Sequence, residues 1–252
     1  MADCVLEGLE SWAASNALSQ LDSLNARQSV PSRLAGAAFA YGLAAPLATP
    51  DPVRGRVIVG WLKHRAAATM AFFDDLKTSA RTARNNLRLW AALSVMRTGI
   101  DTHDTALIGW GEASFRQALC AANADGSLPL EMSRGSLALH YQLHAVQPLV
   151  VGVALLQQEG IDLRRTCDDA LTRIVMFTLA AVDLPALAAA HAGERQKRIT
   201  GRASLQGFQL AWIPAWQSLS LSPTLDSYAP AGMVLSNSRL GGDQGEVWGK
   251  RP

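Results

Sequence analysis

An all-α fold is what this sequence predicts, on three observations. Alanine and leucine, both strong helix formers, dominate the chain, while runs of β-branched residues are rare. Apolar residues recur at three- and four-residue spacing through most of it. Prolines, glycines and capping residues then cut that pattern into segments of helix length with short links between them.

The composition bounds the rest. A chain of 252 residues that is 49% hydrophobic and 17% charged buries a sizeable core and is neither disordered nor a coiled coil. The net charge of +2 gives no reason to expect a nucleic-acid partner. Basic clusters at Lys63-His64-Arg65 and Arg195-Gln196-Lys197-Arg198 could attract a polyanion, although solvated helix faces carry the same pattern. The longest apolar run, Ile174 to Ala190, is broken by Asp183 and Pro185, so no membrane span is expected. Cys4, Cys120 and Cys167 have no CxxC spacing; one bridge is open to them, a zinc site is not supported.

Taken in order, Cys4 to Leu18 reads as a helix with Val5, Leu9, Trp12 and Ala13 on its buried stripe. Pro31-Ser32 opens a second helix that runs to about Ala45. Asp51 caps the third, with Pro52 at its first position and Val53, Val57, Trp61 and Leu62 facing inward. Arg84 to Arg97 is the next, and Thr102 is the N-cap of a helix carrying Leu107, Trp110 and Phe115. After a turn at Asn123 to Gly126, a central helix runs from about Glu131 to Gln158, with a kink at Pro148 and a stop at Gly160. Arg164 to Val182 makes another helix, and Pro185 starts a short one. His191 to Gly207 reads as an exposed loop, Phe208 to Leu219 as a helix interrupted by Pro214, and the tail from Ser222 as irregular. Antiparallel helical pairs of this kind suit a toroid of hairpins and any large helical bundle alike.

Chemistry concentrates in Leu128 to Leu149, LPLEMSRGSLALHYQLHAVQPL. On a continuous helix Arg134 and Tyr141 lie two turns apart on one side, with His144 one turn further. A guanidinium beside a phenol stabilises phenolate and attracts an anion, which suits proton abstraction next to a carboxylate. The same spacing also occurs on the wet face of ordinary amphipathic helices. His140 and His144 stand at i,i+4, half of a metal site, but no third ligand has suitable spacing. No GxGxxG or Walker pattern is present, and neither metal nor other cofactor is expected.

A second segment, NNLRLWAALSVM from Asn85 to Met96, narrows the reading. NN-x-x-x-WAA-x-SVM, then DGSLPLE-x-x-R with Tyr141, then SRLGGD near the end, together resemble the mannuronate-cleaving alginate lyases, in the same order and with compatible gaps. The resemblance runs from Cys4 to Val247 and implies an incomplete (α/α) toroid of antiparallel helical hairpins. It implies a single domain over residues 1–252, whose irregular tail, 222–252, packs back on the cleft. It further implies a polysaccharide lyase that cleaves a polyuronate by β-elimination, with the anionic polysaccharide as its partner and the protein a monomer. Carried over by position, Asn86 and Arg134 neutralise the substrate carboxylate and Tyr141 is the acid and base. Asn85, His144 and Arg239 contact substrate, and Trp12 and Trp90 line sugar subsites or pack in the core.

One position departs from the pattern. The family reads NNH where this chain has Leu87, and leucine neither neutralises charge nor abstracts a proton. Elimination across opposite faces, as guluronate requires, is thereby disfavoured, while elimination from one face by Tyr141 remains open. His144, where the family carries an aromatic residue, is the nearest substitute imidazole. The rival readings are a non-catalytic alginate-binding relative and a helical scaffold for protein partners. The start, MADCVLEGLESW, has neither basic region nor apolar core, yet the resembling lyases carry a signal and further helices before this point. The expectation is a periplasmic or secreted protein, with the cytoplasm as the alternative.

Overall fold

The computed structural model describes residues 1–79, 81–221 and 225–249; positions 222–224 and 250–252 of the expected tail lie outside them. Seven longer helices carry the architecture: α1 (Ala2–Ala14), α2 (Leu24–Ala44), α3 (Pro52–Asp74), α4 (Asn86–Thr102), α5 (Thr105–Cys120), then after the short α6 (Pro129–Met132) α7 (Ala138–Gln158) and α8 (Thr166–Asp183). Short helices follow at α9 (Ala186–Ala192), α10 (Gly207–Leu210), α11 (Ile213–Ser218) and α12 (Gln244–Trp248). The only strands among the described residues, β1 (Ser236–Asn237) and β2 (Gly242–Asp243), form one small antiparallel pair.

α4 and α7 pack together at the centre and are buried over most of their circumference. That fits their sequences: NLRLWAALSVM and LHYQLHAVQPLVVGVALL leave little polar surface to expose. α7 is apolar enough to span a membrane by composition, yet 83% of its most apolar window is buried inside the protein. It continues through Pro148 to Gln158 and is followed by Gly160 at φ +79°.

Several boundaries differ from those expected. α2 begins seven residues before Pro31, because Ser23 Oγ accepts the Ala26 N–H at 3.1 Å and supplies the cap. Asp104, not Thr102, caps α5; Thr102 ends α4 and His103 turns the chain in a left-handed conformation. α4 begins at Asn86 rather than Arg84, since Asn85 Oδ1 takes the Leu87 N–H at 3.0 Å. The central helix does not start at Glu131: the chain turns through Arg134 and Gly135 (φ +58°), and α7 begins at Ala138. α8 takes up helical backbone only from Ala170, because Cys167, Asp168 and Asp169 have φ of 53°, 58° and 55°.

The buried stripes also rotate. α1 buries Leu6 and Leu9 while Val5 and Trp12 stay exposed, and α3 buries Ile58, Trp61 and Leu62 while Val53 and Val57 face out. In both helices the covered face is set by the neighbours packed on it, α2 and α3 for α1, and α4, α1 and α2 for α3, which local periodicity does not encode. Cys120 and Cys167 form a disulfide that ties the end of α5 to the start of α8. Closing a loop of 47 residues is worth about 4 kcal/mol in the chain-entropy treatment.

The segment after α9 is largely exposed, as its polarity suggests, but buried Gln196, Ile199 and Leu205 anchor it to the body of the protein. Gln196 is buried, and its Oε1 accepts the Leu139 N–H at 2.9 Å, capping a free donor in the first turn of α7. The tail crosses α2 at Gly36, where the turn Ser238–Leu240 rests on bare backbone. A Cβ at Gly36 would stand 2.6 Å from the Ser238 carbonyl oxygen.

Candidate active site

The N-terminus of α4, the α6–α7 turn, one face of α7 and the tail turn converge on one cleft. Arg134 reaches Tyr141 across the turn rather than along a helix: its Cζ sits 3.8 Å above the centre of the Tyr141 ring. Asn86, Leu87, Arg134 and Tyr141 line a cavity of about 320 Å³, with Gln28 of α2 and Arg81 on the opposite wall. Leu87 therefore stands in the cleft, half-buried, beside the groups expected to handle substrate.

Asn85 and Asn86 have different duties. Asn85 is buried and its side-chain oxygen is committed to capping α4. Asn86, also buried, donates its backbone N–H to Glu131 Oε1 at 2.7 Å and its Nδ2–H to Oε2 at 2.9 Å. Burial pushes the Glu131 carboxyl up to about 7, against the lowering effect of those bonds and of the Arg134 and Arg81 charges.

Behind Tyr141, His144 is held on both ring nitrogens. Trp90 Nε1–H donates to Nδ1 at 3.0 Å, Asn86 Oδ1 lies 3.1 Å from that same Nδ1, and Arg239 Nη1 stands 3.5 Å from Nε2. Burial, then the Arg239 charge, pushes the imidazole down to about 3, so it is neutral at physiological pH. Trp90 is fully buried and offers its N–H to this network rather than an open face to a sugar. His140 packs edge-on against Tyr141 at 5.2 Å between centroids, and burial lowers its pKa, helped by Arg198 and Arg134.

Arg239 returns from the tail into the cleft, lining a second cavity of about 340 Å³ with Trp90 and His144. It also borders a third, about 620 Å³, where half-exposed Trp12 faces Arg33. The residues of α2 that line these spaces, Gln28, Ser29, Ser32, Arg33 and Gly36, follow one helical face. No carboxylate lies within ion-pair distance of Arg33, Arg81, Arg134 or Arg239 among the described residues. Arg81 and Arg134 face buried Glu131 without pairing to it, and with Arg33 and Arg239 they give these spaces a positive lining that suits a polyanion. A further cavity of about 780 Å³, between α9 and Thr200, holds none of these groups.

Sequence reasoning missed Glu131, Arg33 and Arg81. Glu131 stood inside the DGSLPLE-x-x-R motif, and Arg33 was visible as one member of a polar i,i+4 face on α2. Arg81 had no local signal.

The fold is that of the incomplete α/α-toroid polysaccharide lyases. Alginate lyase A1-III from Sphingomonas species A1 matches with a TM-score of 0.84 and 28% identity, over 98% of this chain and 69% of that one. A histidine-to-alanine variant of A1-III complexed with a tetrasaccharide matches at 0.83, over 99% of this chain and 69% of that one, with 28% identity. In sequence, residues 1–187 match the alginate lyase family model. A polysaccharide lyase of Stenotrophomonas maltophilia (strain K279a) is 34% identical over 246 residues, covering 96% of this chain and 70% of that protein. An alginate lyase of Pseudomonas syringae pv. syringae (strain B728a) is 28% identical, covering 98% of this chain and 65% of that protein. The chain belongs to the alginate lyase family. It spans about two thirds of the length of these curated relatives.

Proposed function

We propose that this protein cleaves mannuronate-rich alginate by β-elimination. The observation that carries the reading is the Arg134 guanidinium over Tyr141, beside Asn86, in a cleft lined by arginines that form no ion pair among the described residues. In this mechanism Arg134 and Asn86 hold the uronate carboxylate, so that charge developing at C5 is delocalised into a neutralised group. Tyr141, as phenolate, takes the C5 proton; the C5–H electrons form the C4–C5 double bond and the C4–O4 bond breaks. The same phenol then gives that proton to the departing O4, which regenerates phenolate. One residue serves both steps because in mannuronate both groups leave from the same face.

The Trp90, Asn86 and Arg239 contacts leave His144 a neutral, tethered imidazole, which argues against its replacing the histidine absent at Leu87. That observation favours a second reading, an alginate-binding relative with little or no turnover. Incubation with defined polymannuronate separates them: ultraviolet absorbance of unsaturated uronate reports cleavage, and binding without that signal supports the second. Neither binding nor product would remove both. The Cys120–Cys167 bridge supports a place for the protein in an oxidising compartment, outside the cytoplasm.

A further inference from the structure

Glu131 is a buried carboxyl, 2% exposed, that takes no part in the elimination and has no ion-pair partner among the described residues. Both of its oxygens are spent on one residue, Asn86. Asn86 in turn links that carboxyl to the His144 ring.

The donors and acceptors along this link are in conflict. An ionised carboxylate only accepts, so it must face the Asn86 NH₂ group and leave Oδ1 toward His144 Nδ1, which then has to carry a proton. The Trp90 indole only donates, and it points at the same Nδ1, which for that bond must be bare. The two demands are incompatible, and Trp90, 2% exposed, donates to this nitrogen. Protonating Glu131 resolves the conflict. Its Oε1 still accepts the Asn86 backbone N–H, while the new O–H donates to Asn86 Oδ1 once the amide has turned. The NH₂ then faces a bare Nδ1 together with the Trp90 N–H, and the ring proton sits on Nε2. Arg239, half-exposed and 3.5 Å from Nε2, is free to shift toward solvent or substrate.

We propose that Glu131 is a positioning residue that orients the Asn86 amide and, through it, decides which nitrogen of His144 carries the proton, and that it takes up a solvent proton when an anionic sugar occupies the cleft. The second half rests on the polyuronate reading; the first does not. Proton uptake follows from charge: a uronate carboxylate held by Asn86 would otherwise share one amide with a second buried anion. The charged groups facing Glu131 are Arg81, from the segment before α4, and Arg134 beside it, with His144 of α7 reached through Asn86; its titration falls near 7.

Two experiments test it. Imidazole ¹⁵N shifts, measured without ligand from about pH 6 to about pH 8.5, report the His144 tautomer directly. In the wild type the ring proton should move from Nε2 to Nδ1 as pH rises. In Glu131→Gln, whose amide mimics the protonated carboxyl, it should stay on Nε2 throughout. Identical behaviour in the two proteins overturns the proposal. If Glu131→Gln does not fold, Asn86→Ala replaces it: a pH-dependent tautomer that survives loss of that amide also overturns it.

Calorimetry with oligomannuronate, in two buffers of different ionisation enthalpy, then counts protons. Wild type should take up a proton on binding above neutrality and lose about tenfold in affinity per pH unit there; Glu131→Gln should show neither effect. Binding without proton uptake in the wild type sinks the second half of the proposal. If no form binds the oligosaccharide, the polyuronate reading and that second half fail together, and the imidazole measurement still decides the role of Glu131.

Discussion

The Arg134 guanidinium sits over the Tyr141 ring, its Cζ 3.8 Å from the ring centre, although the two residues belong to different elements. That stacking fixes the guanidinium beside the phenol, where it is placed to meet an incoming carboxylate.

Tyr141→Phe should abolish release of unsaturated product while leaving binding of oligomannuronate within about threefold. The ring, and with it the stacking surface for Arg134, is retained; only the proton carrier is lost. Comparable turnover by the Phe variant would take Tyr141 out of the chemistry.

Arg134→Ala should raise KM and lower kcat together. The guanidinium meets the substrate carboxylate in the ground state and more strongly as charge develops at C5. A change in melting temperature alone, with both constants intact, would make Arg134 a structural residue.

Leu87→His puts an imidazole into the cavity that Arg134 and Tyr141 line. Polymannuronate turnover should rise roughly tenfold or more, the range of a positioned acid–base or charge-neutralising group. The lost apolar contact costs about 1 kcal/mol, so both proteins are compared at a temperature where they stay folded. A folded, alginate-binding variant with no gain would show that Leu87 is not where activity is limited.

Gly36→Ala tests the tail. With the Ser238 oxygen 2.6 Å from the added methyl, the turn that carries Arg239 has to lift off α2. KM for polymannuronate should rise severalfold with little loss of helix content by circular dichroism. An unchanged KM would separate Arg239 from substrate binding.

Stability should fall on the alkaline side because of Glu131. Its folded-state pKa, about 7, lies above the ordinary 4.5, so the folded state holds the proton more tightly. That advantage is fully present below about pH 4.5 and is lost as pH rises through 7, on the order of 3 kcal/mol by pH 9. Denaturant midpoints should therefore decline between about pH 4.5 and about pH 7.5 in the wild type and more weakly in Glu131→Gln. Parallel curves for the two proteins would contradict the assignment.

The sequence by itself determined the all-α class, the existence of nearly every helix, and three of the segments from which the cleft is drawn. These are local properties: helix propensity, a cap such as Asp51, an apolar run such as that of α7. It also marked Leu87 as the departure from the family pattern, and that residue stands in the cleft. What it could not supply are contacts between residues far apart in the chain. Glu131 and Asn86 are separated by 45 positions, Trp90 and His144 by 54, and Arg239 and His144 by 95. No periodicity carries that information. The same limit turned the buried faces of α1 and α3 away from those expected, since a helix presents whichever face its neighbours cover. Trp90 likewise became a buried donor rather than an open stacking surface. Arg134 met Tyr141 through a turn because Gly135 broke the helix that their seven-residue spacing had suggested. Local sequence chose the elements; which side chains share the cleft was decided by how α2, α4, α7 and the tail turn pack, an outcome of long-range burial that only the assembled fold contains.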